Sequence, residues 1–332
     1  MNILVTGGAG YIGSHTCKAL ARAGFTPITY DSLVTGHEWA VRWGPLVRGE
    51  MLDRTRLDEV MREYQPSAVL HFAASSSVEE SVKQPLKYYV NNVVGTINLL
   101  ASMHDNCVRD MVFSSTCATY GNPQRVPLAE SHPQNPINPY GASKLMVERI
   151  LSDLGDAGDL RSASLRYFNA AGADPEGEIG EDHDNETRLI PLVLAAAKGI
   201  IPHITIYGKD YATEDGTCIR DYVHVSDLAD AHVLALKDLK EQAGSRSYNL
   251  GSGKGFSVRE VIQAARTVTG LSIPVVEGPR RPGDPPRLVA DAKRARTELG
   301  WQVRYADLTK IIATTWNWML KHQPEFSAQG SL

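Results

Sequence analysis

The sequence has little cysteine: four residues in 332, Cys17, Cys107, Cys117 and Cys218, with no Cys-x-x-Cys pair among them. That scatter excludes a disulfide framework and the common spacings of a zinc site, and it predicts buried, reduced thiols. Positive charge is not in excess either. With 34 basic and 38 acidic residues the net charge is −4, so nothing in the composition draws the chain to a nucleic-acid backbone or an anionic bilayer. Long hydrophobic runs are missing: a stretch such as 190–197 stops far short of the roughly 20 residues that span a membrane. A strand pattern opens at Ile3, which leaves no room for an export signal ahead of it. Internal repeats, low-complexity tracts and a clear linker are also lacking. The reading is a cytoplasmic protein whose partner is a small molecule, with no nucleic acid and no membrane.

What is present is rhythm. From residue 1 to about 168, apolar β-branched runs at 2–6, 26–30, 45–48, 67–72, 110–115 and 161–167 alternate with amphipathic stretches at 12–23, 55–64, 85–104 and 140–154. Such alternation predicts βαβ units and a parallel sheet. Beyond Asn169 the rhythm breaks into polar loops around 172–186, 207–218 and 277–287, with helical patterns at 187–198, 227–238, 257–269 and 306–320. The expected fold class is therefore α/β, a Rossmann-type doubly wound parallel sheet over 1–168, followed by a smaller, loop-rich lobe over 169–332. Some segments of that lobe are expected to return to the first half. Its loops would gather at the carboxyl ends of the strands, where open α/β sheets bind ligands.

The first strand runs directly into glycines at 7, 10 and 13 and then a helix. Glycines there permit a tight turn and let the backbone touch a pyrophosphate, whose charge rests on the helix amides. The second strand ends at Asp31, 18 residues after Gly13, close to the offset of about 20 for an acid that binds ribose hydroxyls. Asp31 would repel a 2′-phosphate, which favours NAD over NADP. Phe72, Ala73 and Ala74 end the fourth strand at the same sheet edge and are candidates for the cofactor wall.

Tyr140 and Lys144 stand four residues apart at the start of a helix and share one face. A phenol with a pKa near 10 works as a base at neutral pH only if a nearby cation favours its charged form, and Lys144 offers one. The same spacing arises on any amphipathic helix. It gains weight from Ser114-Ser115-Thr116, hydroxyls that close a strand aimed at the crevice of the glycine loop, Thr116 being able to hydrogen-bond a substrate hydroxyl.

These residues make the chain similar to the extended short-chain dehydrogenase/reductase family, and within it to the UDP-hexose 4-epimerases, over nearly its whole length. Further matches are Thr6 to Thr16, Tyr88 to Val93, Leu165 to Asn169, Thr213 to Thr217, Arg220 to Val225 and Arg280 to Asp284. The resemblance implies that Tyr140 is the base, Lys144 its partner and a cofactor ligand, and Thr116 the hydroxyl that positions the sugar. It implies NAD contacts at Gly7, Gly10, Tyr11, Ile12, Gly13, Asp31, Glu50, Met51, Phe72, Ala73, Ala74, Asn91 and Phe168. It places Asn169, Arg220 and Arg281 on a UDP diphosphate, Asp284 on the uridine ribose, Leu189 and Tyr207 near uracil, and Leu288 at the gate of the hexose pocket. Two departures stand out: Ser76 replaces a lysine that some members set on the cofactor, and Arg188 replaces an asparagine near the substrate. The activity implied is interconversion of UDP-glucose and UDP-galactose: oxidation at carbon 4 with a retained NAD, rotation of the 4-keto sugar, and reduction on the opposite face. A homodimer is implied as well, with 85–104 and 140–154 as the paired helices.

Three rivals share the fold. Nucleotide-sugar 4,6-dehydratases of the family carry Asp-Glu after the threonine, and sugar decarboxylases a Glu; here the residues are Cys117 and Ala118, which lack an acid or base for elimination. A second rival is an epimerase preferring a UDP-N-acetylhexosamine or a UDP-pentose, which the leucine at 288 leaves open. A non-catalytic NAD-binding sensor would lack Tyr140, Lys144 or the arginines, and the sequence keeps them all.

Overall fold

Apolar residues alternate along the first six strands, so that each strand feeds two cores at once. In the computed structural model, which describes residues 1–183, 186–241, 243–281 and 284–322, these strands are β1 (Asn2–Thr6), β2 (Thr26–Asp31), β3 (Leu46–Arg48), β4 (Ala68–His71), β5 (Asp110–Thr116) and β6 (Arg161–Tyr167). Pro282 and Gly283 of the family-like segment, and Asp184 and Asn185 of the 172–186 loop, lie outside the described residues. Ile3, Val5, Leu70, Val112 and Leu165 pack on one side of the sheet with Leu20, Leu228 and Trp301. Leu4, Val69, Met111 and Phe113 pack on the other with Leu57, Leu99, Val147 and Leu151. Strands covered on both faces by helices suit a parallel sheet, and every pairing in this sheet is parallel.

The order across the sheet is Ser245–Leu250, β6, β5, β4, β1, β2, β3. The chain winds outward from β1 to β3 and then restarts at β4 on the other side of β1, so the switch point lies between the carboxyl ends of β1 and β4. The amides of Phe72 and Ala73 both donate to Thr6 O there, at 2.8 and 3.0 Å, closing the base of the crevice. The edge strand Ser245–Leu250 was not expected from the sequence. Its first three residues, Ser-Arg-Ser, are half-exposed and carry no apolar alternation, and only its register against β6 makes it a strand.

The helices expected at 12–23, 55–64 and 140–154 form as Tyr11–Arg22, Arg54–Tyr64 and Pro139–Asp156. The one expected over 85–104 differs. It runs Pro85–Asp105 through a π turn at Tyr89–Val94, behind a separate short helix Val78–Lys83. Cys17 and Cys218 are buried as expected, but Cys117 is only half-buried and Cys107 is exposed; Cys117 follows Thr116 at the end of β5. Cys107 occupies a left-handed turn, φ 60°, that leaves the helix ending at Asp105.

The second lobe has its own core, with Ile190, Leu194, Tyr222, Val261, Ile311 and Trp318. Its small sheet holds Ile219–His224 between Gly255–Ser257 and Arg287–Leu288, with Asn169–Ala171 also paired to it. A second pair joins Ile204–Tyr207 to Val275–Gly278. Several contacts tie the lobes, two of them near the glycine loop. Lys18, almost fully buried, meets Asp174 at 2.7 Å, Glu176 at 2.8 Å and Glu178 at 2.6 Å, and Tyr11 donates its hydroxyl to Gly172 O at 2.5 Å.

Candidate active site

The glycine loop is built for close approach. Gly7 has φ 73°, and a Cβ there would sit 2.6 Å from the amide nitrogen of Ala73; a Cβ on Gly13 would sit 2.1 Å from Gly7 O. The helix behind it begins at Tyr11 with no side-chain cap, leaving its first amides to whatever lies in the crevice. Asp31 is buried at the end of β2, one carboxylate oxygen accepting from the amide of Ala9 and the other from that of Leu33, both at 2.9 Å. Burial raises its pKa, against the lowering pull of those amides. A glycine cradle that any side chain would fill, an uncapped helix start and a fixed carboxylate fit a dinucleotide with free ribose hydroxyls. Phe72 leaves β4 beside the cradle and packs on His232, ring centres 4.7 Å apart. Met51 is buried among the core residues behind it, and Glu50 is exposed at the end of β3.

Tyr140 lies in the first turn of Pro139–Asp156, whose start is capped by the side-chain Oδ1 of Asn138 accepting from the Gly141 amide at 2.8 Å. Its ring meets Tyr88 edge-on at 6.5 Å. Burial pushes the phenol up to about 12, opposed by a hydrogen bond with Thr116 and by the charge of Arg188. Thr116, at the end of β5, is buried, and its hydroxyl accepts from the Ala118 amide at 3.1 Å. Lys144 is buried under the same helix. Its ammonium donates to Ser114 O at 2.8 Å and lies 4.8 Å over the Phe113 ring. Burial lowers its pKa to about 7, with Glu148 pulling the other way.

Three groups that sequence reasoning did not single out hold this arrangement. Asn92, in the π turn, accepts from the Ser75 amide at 2.8 Å and donates to Ser75 O and to Ser143 Oγ, each at 3.0 Å. Ser143 in turn donates to Tyr140 O at 2.8 Å, so Asn92 locks the helix of Tyr140 and Lys144 to the loop after β4. π turns recur at functional sites, but nothing in Tyr-Val-Asn-Asn-Val-Val announces one. Behind Lys144, Glu148 and Arg166 form a buried ion pair at 2.6 Å, which Ser115 and Gln134 also join. Asn91 points its amide to Asn92 Oδ1 at 3.0 Å and, at 3.4 Å, to Ser75 Oγ.

The residues assigned to the UDP end lie on the second lobe. Arg220 and Asp221 do not pair with each other. As strand neighbours they face opposite ways: buried Asp221 accepts from the amides of Ser252, Gly253 and Ala290, while Arg220 donates to Pro285 O at 2.8 Å and to Asp284 at 3.2 Å. Arg281 covers the ring of Tyr207 at 4.0 Å. Leu189 opens the helix Leu189–Ala197, and Asn169 is exposed at the start of the strand Asn169–Ala171, opposite Tyr222. Leu288 and Cys117 pack together with Tyr120, Leu128, Phe168 and Ala290. That cluster brings Leu288, the expected gate of the hexose pocket, to the turn after Thr116. Burial pushes the Cys117 thiol up to about 12, so it stays protonated.

A doubly wound sheet whose switch point carries a glycine cradle, beside a helix presenting Tyr140 and Lys144 and a strand ending in Thr116, defines a dinucleotide-dependent enzyme acting on an alcohol carbon. Residues 3–251 match the model of the NAD dependent epimerase/dehydratase family, and the chain belongs to that family. A UDP-glucose 4-epimerase of Rhizobium leguminosarum bv. trifolii is 52% identical over 319 residues, 96% of this chain and 97% of that one. The fold superposes on a UDP-glucose 4-epimerase from Brucella ovis in complex with NAD, with TM-score 0.93 and 54% identity over 95% of this chain and 97% of the other. The enzyme from Bifidobacterium longum, solved with NAD⁺ and UDP, gives TM-score 0.92 at 38% identity over 97% of this chain and 99% of that one.

Proposed function

We propose that the protein is a UDP-glucose 4-epimerase, an isomerase that interconverts UDP-glucose and UDP-galactose with a retained NAD. The observation that carries the reading is the meeting of Tyr140 and Thr116 at the switch-point crevice with no second acid or base after the threonine. Cys117 is held protonated and Ala118 has no proton to exchange, so elimination of water has no agent here and a redox-neutral inversion remains.

The cradle of Gly7, Gly10 and Gly13, with Asp31, Phe72 and the Lys144 region, would hold NAD, which supplies the hydride acceptor and donor for carbon 4. The chain's own part is to bind, orient and move one proton. Tyr140 takes the proton of the 4-hydroxyl and returns it, while Thr116 holds that hydroxyl in line. Arg220, Arg281 and Asn169 grip the diphosphate, a task suited to planar guanidinium forks. Leu288 and Cys117 bound the hexose with apolar surface and few hydrogen bonds, which lets the sugar turn while the nucleotide stays fixed. Residues 1–168 carry the cofactor and the second half the UDP-sugar, with Ser245–Leu250 returning to the large sheet.

Given UDP-galactose and no added NAD, the purified protein is expected to yield UDP-glucose until both sugars reach equilibrium, followed by proton NMR. A 4-keto-6-deoxy product would favour the dehydratase, and no turnover of either hexose would overturn the assignment.

The assembly we propose is a homodimer in the cytoplasm, serving galactose metabolism. Val78, Val82, Leu86, Val90, Val94 and Ile97 recur every three or four residues and are exposed, Leu86 by 73% and Val82 by 63%, with Met146 exposed on Pro139–Asp156. A contiguous apolar stripe of this kind marks an association surface, and a second copy covers it with the same stripe. Among the described residues no helix is long and apolar enough to cross a membrane. Leu86→Asp should halve the mass seen by sedimentation velocity; an unchanged mass would refute this face as the interface.

A further inference from the structure

The proposed cycle gives back the hydride it takes, so NAD need not exchange between turnovers. The glycine loop and Asp31 form one wall of its cradle, and the chain that follows β2 lies directly against both. Leu33 takes a left-handed conformation, φ 59°, and its amide donates to Asp31 at 2.9 Å, which turns the segment back toward the glycine loop. Gly36 then packs so closely that a Cβ on it would sit 3.0 Å from both Ala9 and Asp31 Oδ1. The amide of His37 donates to Ala9 O at 3.0 Å. Residues 32–42 are therefore a strap laid along the loop and the carboxylate that fit a dinucleotide.

The far end of the strap is fastened by the other lobe. His37 donates from Nε2 to Asp182 O at 3.0 Å. Trp39 stacks with His37, ring centres 5.4 Å apart, and meets Trp318 of the helix Leu308–His322 at 5.8 Å. Arg42 reaches Glu178, its guanidinium 3.2 Å from the backbone oxygen and 3.4 Å from the carboxylate. Trp318 is 2% exposed and belongs to the core of the second lobe, whereas Trp39 is 41% exposed. Gly180 brings its own segment onto the same ring: a Cβ there would sit 2.5 Å from Trp318. An exposed pair such as Arg42 and Glu178 contributes little, so the ring contact is the main fastening. A segment held by a few surface contacts opens locally without unfolding the core behind it.

We infer that residues 32–42 are a strap that retains NAD, and that Trp39, seated against Trp318, is its latch. The inference rests on the reading of the glycine cradle as an NAD site. Trp39 acts through the strap, as a positioning residue: its ring holds Gly36 and His37 against Ala9 and Asp31, and release of the cofactor follows when that ring leaves Trp318. The lobe proposed to carry the UDP-sugar thus also closes the cofactor site, which joins the two halves of the enzyme in one holding task.

The rate at which purified holoenzyme releases NAD tests this, with no UDP-sugar present: excess alcohol dehydrogenase and ethanol reduce the freed cofactor, and NADH absorbance follows it. Trp39→Ala should release NAD about 2–10-fold faster, the factor one aromatic pair carries. Trp39→Phe keeps a ring against Trp318 and should restore most of the slow release. Denaturant unfolding of the NAD-free proteins is the control, because a Trp39 that only props the fold lowers the midpoint and leaves release at the parental rate. That result, or Trp39→Phe releasing as fast as Trp39→Ala, overturns the inference. Where Trp39→Ala does not fold, His37→Ala decides by the same sign: it removes the bond to Asp182 and the stacked ring while keeping the amide on Ala9. A parent protein that holds no NAD removes the cofactor reading and the latch together, whereas a parent that holds it beside unchanged variants removes the latch alone.

Discussion

Tyr140→Phe is expected to lower kcat by about 10²–10⁴-fold, the range in which one positioned acid–base group contributes. The change removes one oxygen and leaves the ring against Tyr88, and the helix retains its Asn138 cap and its Ser143 link to Asn92. Stability should therefore change little, and bound NAD, measured by absorbance after acid release, should remain. KM for UDP-galactose should stay within a few-fold, because the residues proposed to hold the diphosphate, Arg220 and Arg281, are untouched by the change. A loss confined to kcat marks an interaction made only in the transition state. Full activity in this variant would refute the phenol as the base, whatever the fold.

The split between cofactor and substrate effects follows from the topology. The groups proposed to move the proton sit on the large sheet and its helix, and those proposed for the diphosphate sit on the second lobe, Asn169 and Arg220 on its small sheet and Arg281 on a loop, with Tyr11, Lys18 and Arg188 among the contacts that join the two. An enzyme that must let a sugar turn needs such a division. Charge and hydrogen bonds gather at the nucleotide end, and the wall at Leu288 and Cys117 has little to offer a hydroxyl.

Much of this was legible because it is local. The glycine loop, the acid after β2 and the Tyr-x-x-x-Lys turn each depend on spacing within one or two elements, and the alternation of strands and helices follows from apolar periods of 2 and 3.6. What escaped depends on partners far along the chain. Ser245–Leu250 reads as a polar segment until β6 lies beside it. Asn92 looks like any helix asparagine until the loop at Ser75 and the helix at Ser143 close on it. Cys107 was placed inside because cysteine favours interiors, but the turn leaving its helix decided otherwise. Arg188 was visible only as a mismatch; its partners, Glu181 and Tyr11, meet it only in the fold.

The pair beneath the catalytic helix gives the largest expected effect on stability. Glu148 lies one turn beyond Lys144 and Arg166 on β6, and each side chain is 7% exposed. Both oxygens of Glu148 accept from Arg166, and Ser115 and Gln134 add further donors. Arg166 also donates to Tyr120, whose hydroxyl passes to Asn249 at 2.6 Å on the edge strand. Glu148→Ala therefore leaves a guanidinium in the interior without its counter-charge, at a cost of about 3–5 kcal/mol. The denaturant midpoint should fall accordingly with the slope unchanged. Glu148→Gln keeps an acceptor for Arg166 and should lose less. The same carboxylate supports the charge on Lys144, so the glutamine variant, still folded, should show a weaker Lys144 cation and reduced turnover. Should Glu148→Ala unfold within about 1 kcal/mol of the parent, less than the mean cost of an ordinary substitution, the buried pair would not be what fixes the catalytic helix to the sheet.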